Sequence, residues 1–404
     1  MKINLIKISI FVILFYIFGV NQLFDAALEK KSLPTIRYQE LFFFLLPGFY
    51  ILLTAHKNKR LDFPYLASMG LFIVTFWFLE TFVHKTNNFE SWRDLPERFY
   101  YLILSFYFLK NLNKIYFSSV LKYVVITIII KLILIYLSLF EILNFVEFEI
   151  WETEGNRLAG SINLNAVSDQ IVLGILIMLY LVRHNIRKIQ IINFNVSLFY
   201  LIAFMLPLIF LSASRGSFLL LLIILFIIYK DMLWRYRFRF ILIGIFLYVL
   251  SSSSLGTIVD NVNVVKRLFD SGKSSSTGEE EARLLQVYAS WQNFQNNKIF
   301  GLGYENAASN VFHGISRSNF QYTQVLAAGG LVLFFTFMNL IFRLFGSTIK
   351  MYRVNQYLLA SIFYVLILFI FHRPDTYMGV LAYFVFMLKT TDNQYFILNG
   401  NSVL

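Results

Sequence analysis

The sequence predicts an all-α polytopic membrane protein with about twelve transmembrane helices, and three observations carry that prediction. Apolar residues make up 58% of the 404 positions, charged residues 14%, and mean hydropathy is +0.65, whereas a soluble domain carries about 25% charge. Runs near twenty residues with almost no charge recur along the whole chain, as a hydrocarbon core about 30 Å thick demands at 1.5 Å rise per residue. Within these runs polar and apolar residues do not alternate, which excludes membrane β-strands and leaves helices that satisfy their own backbone hydrogen bonds.

The runs lie near 4–22, 39–55, 64–83, 97–109, 119–144, 164–182, 194–212, 216–229, 240–256, 321–342, 356–371 and 376–389, and they form one polytopic domain over 1–404. Lys and Arg sit mainly on one side, in segments such as Lys57 to Arg60, Arg183 to Lys188 and Lys230 to Arg239. The short segments of the other side, Arg157, Arg215 and Arg373 among them, hold about half as many. Both termini are therefore expected in the cytoplasm, and the polar stretch 257–320 between the ninth and tenth spans becomes one large periplasmic loop. The first run starts basic like a signal peptide, but no small-residue cleavage site follows, so it reads as an anchor.

The net charge of +12 is explained by cytoplasmic loops facing anionic headgroups. No basic segment is interleaved with stacking aromatics, so nucleic acid is not expected as a partner. Absence of cysteine excludes disulfides and thiolate chemistry. No Asp-x-Asp pair or His/carboxylate cluster is present to hold a metal, so neither metal nor cofactor is expected. No internal repeat of the transporter kind is found.

The polar residues of the outer side are the candidates for chemistry. Arg215 stands in Ser212-Ala213-Ser214-Arg215-Gly216-Ser217 between two apolar runs, where a helix start offers free N–H groups to an anion. Arg157 precedes Gly160, Asn163 and Asn165 at the mouth of the sixth span. Asp169 lies about one turn into that span, where a carboxylate is costly and faces a polar cavity. Lys131 sits in the fifth span, and the axial rise puts it roughly 10 Å deeper than Asp169, so no pairing is expected. In the large loop, Thr277 to Glu280 fits a capping box. The helix it opens places Leu284, Tyr288, Trp291 and Gln295 on one stripe with Arg283 beside it, and Gly301 and Gly303 end it. His313, Arg317, Ser318 and Asn319 then lead into the tenth span.

The order of these segments resembles the O-antigen ligase and polymerase superfamily: Arg157 with Gly160, Asn163 and Asn165; Ser212, Ser214, Arg215 and Gly216; Arg283 and Trp291; Gly301 and Gly303; Asn319 and Gly329. The resemblance covers roughly Arg157 to Gly330. The family's His-Asn pair is Ser318-Asn319 here, and the nearest imidazole is His313, five residues earlier.

The resemblance implies a glycosyltransferase of the bacterial inner membrane that takes a glycan from an undecaprenyl-diphosphate carrier. His313, Arg215 and Arg317 would be catalytic. Arg157, Arg215, Arg283, Arg317, Ser318 and Asn319 would hold the diphosphate and glycan, since an arginine's planar fork binds phosphate oxygens bidentately. It implies an undecaprenyl-diphosphate-linked oligosaccharide and the lipid bilayer as partners, with a chain-length regulator beside them. A polymerase of surface polysaccharide repeat units is expected first, a ligase onto lipid A core second. A transporter or flippase for the same substrates is the reading from another class; it would place charges and broken helices near the midplane.

Overall fold

The computed structural model describes residues 63–86, 117–140, 147–151, 155–159, 164–183, 188–191, 194–211, 215–235, 278–304 and 321–349, residues 142 and 306, and scattered positions within 7–18 and 360–367. The described chain is mostly helical. Two compact units are formed, one from 1–47, 112–274 and 390–404, the other from 48–111 and 275–389.

In the first unit, α2 (Phe117–Leu139), α3 (Leu164–Arg183), α4 (Leu198–Leu211) and α5 (Arg215–Arg235) follow the fifth to eighth apolar runs. α3 packs against both α4 and α5. A Cβ at Gly174 of α3 would strike Met205 Cε of α4 and lie 3.1 Å from Ile128 Cδ1 of α2, so a small residue is what lets three helices approach, as membrane helix contacts require. Pro207 lies inside α4 and withdraws a donor from the helix ladder. At the neighbouring carbonyl of Phe204 the Tyr136 hydroxyl of α2 donates a 2.7 Å hydrogen bond.

The all-α expectation needs one amendment. β1 (Glu147–Trp151) and β2 (Gly155–Ala159) form an antiparallel hairpin with Glu149 opposite Arg157. β3 (Lys188–Ile191) and β4 (Phe194–Ser197) form a second, so α4 starts four residues later than the apolar run at 194 suggests. In a helix interior Phe and Val lose rotamer freedom, while Asn and Ser favour caps and turns, so Phe194–Ser197 precedes the helix and does not open it.

In the second unit, α1 (Phe63–Phe78), which continues as a π-helical turn over Leu79–Val83, packs on α7 (Gln321–Ile349), and α6 (Gly278–Asn296) packs on the same helix. α6 is the helix expected after Thr277. Its buried side is Ala289, Ser290 and Asn293, while Tyr288 and Trp291 of the expected stripe are exposed. The segment Tyr322–Arg343 of α7 is long and apolar enough to cross a membrane; Gly70–Val83, Val167–Val182 and Leu198–Ile209 are shorter apolar helical stretches. Exposed Leu71, Val74, Trp77, Phe204, Leu222 and Phe226 give α1, α4 and α5 apolar outer faces suited to lipid. The runs at 39–55, 97–109, 240–256 and 376–389 lie outside the described residues, and only scattered positions fall in those at 4–22 and 356–371.

Candidate functional site

Among the described residues, two polar clusters stand inside apolar surroundings, one in each unit. The first lies under the start of α5. Ser168, Asp169 and Gln170 open into it from α3, Lys131 from α2 and Ser217 from α5, all at most 3% exposed. The Ser217 hydroxyl donates to Asp169 Oδ1 at 2.5 Å and stands 2.8 Å from Ser168 Oγ. Lys131 Nζ donates to Gln170 Oε1 and, at 2.9 Å, to the carbonyl of Phe18. Its bond to Gln170, the neighbour of Asp169, brings the Lys131 ammonium level with the start of α3, closer than the axial rise suggested. The reason is that α2 stops at Leu139. Ending five residues short of 144 brings Lys131 about 7 Å nearer the outer end, and its long side chain spans the remainder.

Arg215 is the first residue of α5, two positions before Ser217. The start of α5 is therefore held in place by a buried bond to α3. Such an end attracts anions.

The second cluster surrounds a break in α7. At Gly330 the backbone takes φ 59° and ψ −156°, a region open in practice only to glycine. The groups released by the break are taken up by the turn that follows α6. Leu302 N–H donates to Ala327 O at 2.8 Å and Gly303 N–H to Ala328 O at 2.9 Å, while Leu331 N–H donates to Lys298 O at 2.8 Å and Val332 N–H to Ile299 O at 3.3 Å. The expected Gly-x-Gly turn thus does more than stop a helix. A Cβ at Gly301 (φ 70°) would lie 2.5 Å from the Ala328 carbonyl, so the turn can enter the break only without a side chain there.

Sequence reasoning missed two residues of this cluster, Glu80 and His84. Glu80 is 1% exposed, and His84 Nε2–H donates to the Phe300 carbonyl at 3.1 Å. A carboxylate within Phe76 to Val83 was the available signal, on the same cost argument that singled out Asp169.

His84 stands just past the third apolar run. Burial holds its imidazole below the usual 6.5, against the opposing pull of the Phe300 and Ala328 carbonyls. The folded chain therefore takes up this proton less readily than the unfolded chain. The associated stability is present above pH 6.5 and is lost as pH falls below it toward the folded value. Melting temperatures of detergent-solubilised protein are expected to fall on acidification between about pH 7.5 and 5, with a shallower fall in His84→Asn. Equal slopes would remove His84 from that dependence.

Of the residues expected to form the site, Arg157 lies in β2, Arg215 opens α5 and Arg283 lies in the first turns of α6. His313, Arg317, Ser318 and Asn319 lie outside the described residues, as do Ser212, Ser214, Gly160, Asn163 and Thr277. Among the described residues no group of His, Asp and Glu could hold a metal ion.

Residues 200–338 match the family model described as O-antigen ligase. The match runs from α4 into α7 and takes in Arg215, Arg283, Gly301, Gly303, Gly330 and the stretch 313–319. No curated protein matches the chain. The match over residues 200–338 supports the resemblance to the O-antigen ligase and polymerase superfamily that the motifs carry.

Proposed function

We propose that the protein is a membrane glycosyltransferase that polymerises undecaprenyl-diphosphate-linked repeat units of O-antigen or another surface polysaccharide at the periplasmic face of the bacterial inner membrane. The observation that carries this reading is the family match over 200–338, which contains Arg215 at a helix start and the polar stretch 313–319. Its orientation rests on the distribution of Lys and Arg, with both termini cytoplasmic and 257–320 periplasmic.

In the proposed reaction an acceptor hydroxyl of one repeat unit attacks the anomeric carbon of a second, lipid-linked glycan. The new C–O bond forms as the bond from that carbon to the phosphate oxygen breaks. The hydroxyl proton passes to His313, acting as general base. Undecaprenyl diphosphate leaves with the electron pair, its charge met by Arg215 and Arg317, with Arg157, Arg283, Ser318 and Asn319 holding diphosphate and glycan. A chain-length regulator would set when this cycle stops.

Ligation to lipid A core uses the same donor chemistry and differs only in the acceptor. Transport is less well supported, although α7 is a broken helix. Transporters use the released backbone groups of such breaks as ligands for ions or substrate. Here Ala327 and Ala328 O, and Leu331 and Val332 N–H, are already bonded to the turn 298–303.

Purified protein in liposomes, given lipid-linked repeat units alone, is expected to produce a ladder spaced by one repeat unit. Transfer only when lipid A core oligosaccharide is added would favour the ligase. Movement of the donor across the bilayer with no new glycosidic bond would overturn the enzyme reading.

A further inference from the structure

Every residue given a catalytic or binding role from the sequence lies at Arg157 or beyond, yet the cluster at the break of α7 is held by a side chain from the third apolar run. Glu80 lies on the π-helical turn Leu79–Val83, whose wide pitch is closed by His84 N–H on Leu79 O at 2.9 Å. Turns of this kind concentrate at functional sites. A buried carboxylate is tolerated when donors satisfy it, and Glu80 has one on each oxygen. Oε1 accepts the Tyr304 N–H at 2.8 Å, and Oε2 accepts the Thr86 hydroxyl at 2.8 Å. Beside it His84 holds the Phe300 carbonyl. The end of α1 therefore grips the Phe300–Tyr304 turn from one side while the break in α7 receives it from the other. The Tyr304 carbonyl in turn accepts from Gln324 of α7 at 3.2 Å.

We infer that Glu80 is a positioning residue for the transfer reaction: its carboxylate seats the Gly301–Tyr304 turn in the break of α7 and fixes the point from which the chain sets out toward Gln321. The role assigned is positioning and not proton transfer, since each oxygen of this buried carboxylate accepts a donor of the protein itself. The consequence for activity rests on the proposed glycosyl transfer; the clamp does not. No residue of this clamp on α1 belongs to the family match, which begins at residue 200.

The chain has no cysteine, which allows the contact to be tested directly. A Cβ at Gly303 would lie 3.4 Å from His84 Cβ, close to the Cβ separation of a disulfide, about 3.5 to 4.5 Å; because φ is 90° at Gly303, the test uses a double variant whose membrane abundance matches wild type. In membranes, a His84→Cys/Gly303→Cys protein carrying a protease site between 257 and 277 is expected to stay joined after oxidation and cleavage, and to separate on reduction. Separation without reduction would overturn the clamp.

In the liposome assay, Glu80→Ala should lower turnover at saturating donor by about tenfold or more while KM stays within about twofold, as misplaced reacting groups would. Glu80→Gln should restore most of the rate. Its amide oxygen can accept the Tyr304 N–H, and its amide nitrogen can donate to Thr86 Oγ1. Wild-type turnover in Glu80→Ala, or a Glu80→Gln enzyme as slow as Glu80→Ala, would overturn the positioning role. If Glu80→Ala does not accumulate, Thr86→Val removes the Oε2 donor alone and should still slow turnover; unchanged turnover there overturns it equally. Absence of transfer by the wild-type protein would sink the reaction reading and leave the crosslink result standing.

Discussion

Replacing Arg215 with Ala is expected to abolish polymer formation while protein abundance stays near wild type. Arg215 is the first residue of α5, where the helix dipole favours an anion, and a diphosphate leaving group needs charge that is fixed before the reaction begins. Removal of one such donor costs on the order of 100-fold to 1,000-fold in rate. Arg215→Lys should recover only part of this, because a point charge cannot reproduce a bidentate fork. The measurement is the glycan ladder from cells carrying each variant, set beside an immunoblot of membranes. Near-normal ladder length in Arg215→Ala would mean that the arginine merely reaches the headgroups. Because Ser217 bonds to buried Asp169 at 2.5 Å, the helix start remains anchored without the arginine, so loss of activity can be read as loss of charge.

Gly330→Ala is expected to act in the opposite way, removing the folded protein rather than the chemistry. The backbone at Gly330 has φ 59° and ψ −156°, and a Cβ there would collide with the Ile299 carbonyl. Any other residue costs about 1 to 3 kcal/mol in that region of φ/ψ. Loosening the bonds from Leu331 and Val332 to Lys298 and Ile299 adds about 1 kcal/mol or more each. The sum is a large share of a total stability of about 5 to 15 kcal/mol. Gly70→Ala in α1 is the control, since a Cβ there meets nothing within 4 Å. It should be neutral or stabilising by up to about 1 kcal/mol through helix propensity. Membrane abundance and melting temperature of the two variants in detergent decide the matter. Comparable behaviour would mean that the break in α7 does not depend on glycine.

The helices of this protein were legible where local signals are strong. Long apolar runs fix the position of α1, α2, α3, α5 and α7, because backbone groups in lipid have no partner outside the helix. The capping residues and paired glycines fix α6 and its end. The start of α4 was not legible at that level, since Phe194 to Ser197 pairs with Lys188 to Ile191, and hydropathy does not distinguish a strand from a helix over four residues. The aromatic stripe of α6 was visible, but its periodicity did not tell which side packs on α7, where Ala289 and Asn293 are buried.

The sequence by itself determined the class of protein, the order of its apolar helices and the family motifs from Arg157 to Gly330, because these are written in composition and in spacing along the chain. Tertiary structure alone decided which distant residues share a cluster. Lys131 reaches Gln170 although the two are 39 positions apart, and Glu80 holds Tyr304 across 224. Such pairings follow from where each helix ends and how closely its neighbours pack. A shortened α2 and a glycine-lined break in α7 set those distances, and neither follows from the pattern of residues around the side chains they bring together.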